Sequence, residues 1–435
     1  MRQSDPTATD SPREGRGPVR YGPPLPEAGL PVLPGLAAVV AGAAARPCPE
    51  PPGGPPALLE AARGFWQRRG LPAEQGRIVA APGAAPLLLA LTAALGGDVL
   101  VPRPCPAWWG PQARLLGREV FHVPTPAECG GVPDPYALLE TVRRVRAEGG
   151  DPRLLVLSVA DDPTATVPPP EVLHEAVEAA AGEGLHIVSD ETWRDTVHPG
   201  AGTVLFSPAE MFPAHVTVLT DLTGAFLPPS LPAACARFAP TAQGEHLADR
   251  VLDVLTATGA LLAAPVAAAA TYVLDEDDEV TARRTAAAAL HAEAAQAVHG
   301  VVLAAGGFAR PPRAGRHLYV DLDPMRRPLA ARGVTDAQDL EDFLTERLGM
   351  PVPGGHRFGD DPAALRARLS TGPLLGSTPD ERRASLTSPD PLELPHVRRL
   401  LSMVGSAFGD LGGPGAGSRG PEGNGPAGEG WESER

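Results

Sequence analysis

Residues 77–96, RIVAAPGAAPLLLALTAALG, decide the fold class of this chain. An apolar run of strand length leads through a Pro-Gly turn into an Ala- and Leu-rich run of helical length, which predicts a buried strand followed directly by a helix. Gly83 lies at the turn, where the first backbone N–H groups of the helix are free to bind an anion. The stretch therefore predicts one strand–helix unit of an α/β protein.

The same order of strand and helix recurs along residues 98–224. The strand-like runs are DVLVPRP, EVFHVP, LLVLSVADDP, HIVSDETW and HVTVLTDLTG. This alternation favours an α/β fold with a mostly parallel sheet and helices on both of its faces. Ligands of such sheets bind at the carboxyl ends of the strands. The turns APGAAP, PRPCPAWW, ADDPTATVPP, SDETW and TDLTG are therefore the candidate site.

Composition along the chain predicts five segments. Residues 1–28 and 412–435 are rich in Gly, Pro and charged residues, so we expect two disordered tails. We expect residues 29–75 to pack with a small domain and residues 76–284 to form the large α/β domain. Residues 285–411 contain short alternating runs and two or three helical runs, which predict a small C-terminal α+β domain.

The chain of 435 residues carries a formal charge of −15. A nucleic-acid or anionic-membrane partner would require a surplus of basic surface, so we expect neither. The N-terminal residues 1–18 lack the apolar core of a signal peptide. The apolar run 254–274 is Ala-rich and contains Pro265, which favours a buried helix over a membrane span. We therefore expect a cytoplasmic protein.

Metal and disulfide chemistry are not expected. The four cysteines are Cys48, Cys105, Cys129 and Cys235. They lie far apart, and neither a Cys-x-x-Cys pair nor a histidine at ligand spacing accompanies them, so we expect unpaired thiols. Asp190 and Glu191 are adjacent carboxylates, but no third ligand follows at a suitable spacing.

The chain contains no lysine. Lysine and arginine together number 37, and all 37 are arginine. Every cation of the chain is therefore a guanidinium, an imidazole or the N-terminal amine.

Taken in order, the turns at the strand ends resemble the class I/II aminotransferases, the fold-type-I family that uses pyridoxal phosphate. The resemblance covers roughly residues 45–372. It implies that Gly83 and Ala84 form the turn that binds the cofactor phosphate, although Ala85 replaces the usual polar residue. It also implies an active site at a two-fold dimer interface.

Two further turns, around Pro106 and at Asp162, are similar to cofactor-contacting motifs of the family. RPCPAWWGPQARLLG puts Pro106 where an aromatic residue stacks on the cofactor ring, which leaves Trp109 or its neighbour Trp108 to reach the ring. Asp162 takes the place of an asparagine, and its carboxylate would repel the phenolate-like oxygen of the cofactor.

The turn after the strand HIVSD keeps one family residue and changes another. Asp190 matches the carboxylate that keeps the pyridine nitrogen protonated. Trp193 replaces a tyrosine, whose hydroxyl hydrogen bond an indole N–H cannot easily reproduce.

The last two motifs concern the nucleophile and the substrate. In LTDLTGAFLPPSLPAACARF, Gly224 takes the place of the Schiff-base lysine and Pro232 that of an arginine that grips the phosphate. Arg368, in RARLS, corresponds to the arginine that binds the substrate's α-carboxylate. Burial as an ion pair or in the packing of the fold is the alternative for Arg368 and Asp190.

Transamination uses a lysine amine as the aldimine and again as the base, and the chain has none. We therefore expect no catalytic residue and a non-catalytic subunit, sensor or scaffold, as a homodimer or a heterodimer with an active relative. The alternative is an aminotransferase-like enzyme that acts on a small amino or keto acid. In either case we expect pyridoxal or pyridoxamine phosphate to bind non-covalently at best, or not at all.

Overall fold

The structure is a computed structural model, and it describes residues 19–24, 26–73 and 75–411. The predicted C-terminal tail, 412–435, lies outside the described residues, as do residues 1–18 of the predicted N-terminal tail. Among the described helices, none is both long and apolar enough to cross a lipid bilayer.

The described residues form ten strands in two sheets. Those of the large sheet are β1 (Ile78–Ala81), β2 (Asp98–Arg103), β3 (Val120–Pro124), β4 (Pro152–Ser158), β5 (His186–Asp190), β6 (Val216–Asp221) and β7 (Ala234–Arg237). Those of the small sheet are β8 (Phe308–Ala309), β9 (His317–Asp321) and β10 (Arg366–Ser370). The large sheet has the order β1-β7-β6-β5-β4-β2-β3, with β7 antiparallel to both neighbours and every other pair parallel. The predicted mostly parallel sheet is confirmed.

Helices cover both faces of the large sheet. The helices are α1 (Pro34–Ala43), α2 (Pro56–Arg68), α3 (Ala84–Leu95), α4 (Trp109–Leu115), α5 (Pro135–Ala147), α6 (Pro170–Gly182), α7 (Pro208–Met211), α8 (Ala242–Ala257), α9 (Ala264–Asp275), α10 (Asp278–Ala304), α11 (Arg326–Ala330), α12 (Ala337–Leu348), α13 (Pro379–Thr387) and α14 (Pro395–Gly409). Helices α3, α4 and α8 share one core with the sheet, and α2, α5, α6 and α9 share the other. Because both faces are buried, the strands are continuous apolar runs rather than alternating ones.

The two N-terminal helices lie against the large domain. The composition of the chain predicts that residues 29–75 pack with the small domain. In the structure α1 and α2 instead pack against α9, and they bury Leu36, Phe65 and Trp66 in the core of the large domain. Full burial of such a side chain contributes ~1.5–3 kcal/mol, so the apolar face of these helices decides their position.

The apolar run 254–274 does not form one buried helix. It is divided between the end of α8 and α9, with Gly259 at a φ of 65° between them and Pro265 in the first turn of α9. A residue in the left-handed region ends a helix, and a proline is tolerated at the start of the next one. Helix α9 itself is largely buried, as the composition predicted.

The small domain is built on an antiparallel sheet with the order β10-β9-β8. Helix α10 spans 27 residues and connects it to the large domain, so the boundary predicted at residue 284 falls inside one continuous helix. A change in composition along the chain therefore does not coincide with the end of an element here.

Candidate functional site

A cleft of about 270 Å³ lies where the carboxyl ends of β5 and β6 face the small sheet. Among the residues singled out from the sequence, those that line it are Ala84, Ala85, Pro106, Trp108, Asp162, Asp190, Trp193, Gly224 and Arg368. Gly83 and Trp109 are buried beside the cleft, behind its surface. The fold thus brings together residues that lie up to 284 positions apart in the sequence.

The turn between β1 and α3 has the geometry of an anion site. Gly83 has a φ of 113°, a conformation that L side chains rarely adopt, so the turn requires glycine. The backbone N–H of Ala84, the first residue of α3, donates a hydrogen bond of 2.9 Å to Asp221 Oδ2. The amide that the resemblance assigns to a phosphate therefore binds a carboxylate of the same chain.

The second carboxylate oxygen of Asp221 also accepts hydrogen bonds. Oδ1 accepts hydrogen bonds from the backbone N–H of Thr223 at 2.9 Å and from its hydroxyl at 2.6 Å. The positive end of the α3 dipole favours a negative charge at this position. Asp221 thus neutralises the helix end and holds the loop that follows β6.

Gly224 lies directly against the backbone of Thr192. A Cβ at position 224 would be 2.5 Å from the Thr192 carbonyl oxygen and 2.7 Å from its Cγ2. A side chain at position 224 would therefore require the backbone to move. Pro232 lies near the same turn, since a Cβ on Gly83 would be 3.9 Å from Pro232 Cβ. Of the two positions taken from the family's pattern, Gly224 lines the cleft and Pro232 lies beside the Gly83 turn.

Each carboxylate oxygen of Asp190 accepts a hydrogen bond inside the protein. Trp109 Nε1 donates to Asp190 Oδ2 at 3.2 Å, and the backbone N–H of Thr192 donates to Oδ1 at 3.0 Å. Burial raises the pKa of Asp190 to about 6, and these hydrogen bonds reduce the shift. Trp109 thus serves as a partner of Asp190 beneath the cleft, and it is Trp108 that lines the cleft.

Asp162 and Arg368 form an ion pair across the cleft. Arg368 Nη1 donates to Asp162 Oδ1 at 2.8 Å and to Oδ2 at 3.0 Å, and both side chains are about nine-tenths buried. His317 Nδ1 lies 3.3 Å from Asp162 Oδ1. Burial and the guanidinium groups of Arg368 and Arg316 hold the pKa of His317 well below its usual range, so this imidazole is neutral. Arg368 is paired with Asp162, not with Asp190.

The N-terminal segment supplies a further wall of the cleft. Glu27 accepts a hydrogen bond from Ser370 Oγ and lies 4.0 Å from Arg316 Nε. The Arg316 guanidinium lies 5.2 Å from the Trp193 ring centroid, and Trp193 packs edge-on against His317. The residues of the expected 1–28 tail that the structure describes thus lie against the small domain.

Sequence reasoning missed the roles of Asp221, Glu27 and Arg316. Asp221 had a usable signal, since Asp-x-Thr at the end of a strand is typical of a side chain that bonds the backbone two residues on. Glu27 had no such signal, because it lies in a stretch without apolar periodicity.

Neither a cluster of metal ligands nor a paired cysteine occurs in the part of the chain that the structure describes. No group of three potential metal ligands occurs among the described residues. Cys105, Cys129 and Cys235 are buried free thiols, and Cys48 is exposed. Burial raises the pKa of Cys105 and Cys235, which keeps both thiols protonated and unreactive.

Residues 50–220 match the family model for aminotransferase class I and II. Over 180 residues, the chain is 33% identical to a protein of Thermus aquaticus named as a probable aspartate/prephenate aminotransferase. It is 32% identical over 180 residues to the aspartate/prephenate aminotransferase of Thermus thermophilus. Each match covers 40% of this chain and 45% or 44% of the relative, so the chain spans less than half the length of the curated relatives it matches.

The structural likeness extends further along the chain. A structure of aspartate aminotransferase from Thermus thermophilus with maleate superposes with a TM-score of 0.68 at 20% identity, and the match covers 89% of this chain and 90% of that one. At this identity the likeness concerns the fold. The protein is therefore aminotransferase-like: it has the aspartate aminotransferase fold, and its residues 50–220 match the class I and II aminotransferases.

Proposed function

We propose that this chain is an aminotransferase-like protein that has lost Schiff-base catalysis and acts as a non-catalytic subunit, a sensor or a scaffold. The observation that carries the proposal is the hydrogen bond from the Ala84 N–H to the Asp221 carboxylate. In the family this turn binds the cofactor phosphate. A phosphate dianion here would meet a negative charge at the position where it needs donors.

The missing nucleophile supports the same proposal. The chain has no lysine to form the aldimine or to move the proton. At position 224, a side chain of any kind would require the loop or the Thr192 backbone to move. A compensating lysine elsewhere in the chain is excluded by composition, because all 37 basic residues other than histidine are arginine.

The residues also fit the cofactor poorly elsewhere. An arginine at position 232 would supply two charge-assisted hydrogen bonds of ~1.5–3 kcal/mol each. Their absence corresponds to a loss on the order of a hundredfold or more in affinity. Asp190 is bonded to Trp109, and Arg368 is paired with Asp162. The groups kept from the family thus have partners within the chain.

One observation favours an enzyme as the second candidate. The cleft of about 270 Å³ has both Asp190 and Arg368 in its wall. Pyridoxal or pyridoxamine phosphate bound without a covalent link could use Asp190 for its ring nitrogen, and an amino or keto acid could use Arg368 for its carboxylate. Both side chains would first have to leave their present partners.

Equilibrium binding of pyridoxamine phosphate to the purified chain separates the two candidates. The proposal predicts no saturable binding in the micromolar range, and no borohydride-reducible adduct with pyridoxal phosphate. Asp221→Ser removes the competing carboxylate and should bind pyridoxamine phosphate more tightly than the wild type does. Asp249→Ala, an exposed change on α8, is the matched control for the loss of one carboxylate.

Micromolar binding of pyridoxamine phosphate to the wild type, with weaker binding to Asp190→Ala, would contradict the non-catalytic proposal. The enzyme candidate fails if the wild type binds no cofactor and turns over no amino acid, while a stable partner protein copurifies with it.

We also propose that the chain forms a homodimer or a heterodimer with an active relative, in the reducing cytoplasm. The dimer rests on the resemblance to a family with active sites at a two-fold interface. The four unpaired cysteines support the compartment. Native mass spectrometry of the purified chain, alone and after coexpression with an active aminotransferase of the same cell, tests the assembly.

A further inference from the structure

A second cavity, of about 90 Å³, lies beside the cleft. It is bounded by the N-terminal segment before α1, by the loop after β6 and by α10. Trp193, Thr223, Gly224 and Arg316 line both spaces and so lie between them. The cavity does not include the family's cofactor turn, since neither Ala84 nor Asp221 lines it.

Three guanidinium groups without a bonded carboxylate face this cavity. Arg283 Nη2 donates to the Pro31 carbonyl oxygen at 2.9 Å. Arg382 Nη1 donates to the carbonyl oxygen of Ala28 at 2.7 Å and to that of Gly29 at 3.3 Å. Neutral carbonyls of the N-terminal segment therefore satisfy part of the donor capacity of these side chains, and their charge is not neutralised.

The third group is Arg316. Its Nε is buried without a hydrogen-bond partner, and its nearest carboxylate, Glu27, lies 4.0 Å away. Burial holds the pKa of Arg316 below its usual range. The donor of Arg316 is thus available to an acceptor that the chain does not provide.

The remaining ionisable groups do not balance these charges. Arg284 also lines the cavity, but it pairs with Asp195 at 2.7 Å. His291 bonds to the hydroxyl of Thr371 at 2.8 Å. Burial and the neighbouring arginines lower the pKa of His291 to about 3, so it is neutral at physiological pH. Arg382 is thus buried and Arg283 and Arg316 are partly buried, and none of the three has a hydrogen-bonded carboxylate. Glu27, Asp162 and Glu381 act on Arg316 or Arg382 only through their charge. Cations withdrawn from water are costly unless they are paired.

The remaining side chains of the lining are mostly apolar, with Thr196 and Thr223 as polar members. Leu30, Leu36, Phe226 and Leu375 surround the cationic side. A volume of about 90 Å³ equals the share of about three water molecules in the liquid, so the cavity suits only a small ligand. The cavity is cationic at one side and apolar at the other. An inorganic anion would place charged oxygens against the apolar side, so the lining favours an anion with an apolar part.

We propose that this cavity is a binding site for a small organic carboxylate, whose oxygens bond Arg283, Arg316 and Arg382 and whose short apolar part contacts Leu36 and Phe226. The inference does not rest on the proposed function, because the arginines that carry it lie away from the phosphate turn at Gly83 and Ala84, although Trp193 and Gly224 line both spaces. A bound anion would tie the N-terminal segment to α10 and α13, which carry Arg283 and Arg382.

Isothermal titration calorimetry on the full chain at low salt tests the proposal, with butyrate as the probe. Butyramide is its uncharged counterpart, and inorganic phosphate is an anion without an apolar part. We expect saturable millimolar or tighter binding of butyrate, and at least tenfold weaker binding of the other two. This comparison needs no variant and therefore does not depend on how a variant folds.

Variants then locate the site. Arg283→Gln and Arg382→Gln should each weaken the binding of butyrate about tenfold to a hundredfold, since each removes a charge-assisted hydrogen bond. Ala288→Leu fills the cavity with the charges intact and should abolish binding. Arg46→Gln, an exposed arginine outside the cavity, is the matched control and should bind as the wild type does.

Absence of butyrate binding to the wild type overturns the proposal. So does butyramide or phosphate binding as tightly as butyrate, or wild-type affinity in Arg283→Gln, Arg382→Gln and Ala288→Leu.

Discussion

The carboxylate of Asp221 binds the first backbone N–H of α3, on Ala84, although the two residues are 137 positions apart in the chain. A carboxylate at a helix N-terminus satisfies a free donor and interacts favourably with the helix dipole. In this protein the helix end that the resemblance assigns to a phosphate therefore contributes to stability within the chain itself.

Removing that carboxylate should destabilise the fold. We expect Asp221→Ala to lower the free energy of unfolding by about 1–2 kcal/mol, because it removes a helix-end acceptor and the two bonds to Thr223. Urea unfolding followed by circular dichroism measures the change. Asp249→Ala, which is exposed on α8, should stay within about 0.5 kcal/mol of the wild type. Equal values for the two variants would contradict the role given to Asp221.

The pair of Asp162 and Arg368 should show strong coupling. Arg368→Met leaves the Asp162 carboxylate buried without its partner, and we expect a loss of about 3–5 kcal/mol. Asp162→Asn combined with Arg368→Met should recover most of that loss, because neither charge of the pair remains. A double-mutant cycle from denaturant unfolding gives the coupling energy. Additive effects of the two changes would mean that the pair is not formed in solution.

The buried carboxyl of Asp190 should make stability depend on pH. Its pKa of about 6 in the folded protein exceeds the ~3.9 of an unfolded chain, so the folded state binds the proton more tightly. The resulting stabilisation is present below about pH 4 and is lost as the pH rises through about 6. Relative to Asp190→Asn, which cannot titrate, the wild type should lose on the order of 3 kcal/mol between about pH 4 and pH 7.

Unfolding curves of both proteins at several pH values check this prediction. Asp161, whose pKa burial raises to about 7, titrates in both proteins and cancels in the comparison. Parallel pH profiles would show that Asp190 is not the group responsible.

Two glycines offer a matched test of the contact at position 224. Gly224→Ala should cost about 1–3 kcal/mol, because its Cβ would meet the Thr192 backbone at 2.5 Å. Gly300→Ala, inside α10 with nothing within 4 Å of the new Cβ, should instead stabilise by about 0.5–1 kcal/mol. Thermal unfolding measures whether each substitution lowers or raises the stability of the protein. A neutral Gly224→Ala would mean that the loop has room for a side chain.

Several features of the fold follow from local pattern alone. The run RIVAAPGAAPLLLALTAALG forms β1, a glycine turn and α3 as predicted, because strand and helix periods and turn residues act over a few positions. The five runs at 98–224 all form strands for the same reason. Strand β7 was not predicted, since its four residues, ACAR, carry too little pattern to distinguish them from a loop.

The candidate site was predicted less completely. The strand-end turns place Asp162, Asp190 and Trp193 at the cleft, because parallel strands bring their carboxyl ends to one edge. Arg368 lies within β10 of the antiparallel small sheet, and only the resemblance indicated it. Their partners could not be predicted, since Trp109 and Asp190 are 81 positions apart, and Asp162 and Arg368 are 206 apart.

The sequence by itself determined the α/β class, the position of the cleft and the absence of any lysine, because these depend on periodicity, chain order and composition. Only the tertiary structure decided which charges meet. Asp221 reaches Ala84, Asp162 pairs with Arg368, and Glu27 enters the cleft because the sheet order and the course of the N-terminal segment bring distant residues within hydrogen-bonding distance. Local pattern carries no information about such contacts.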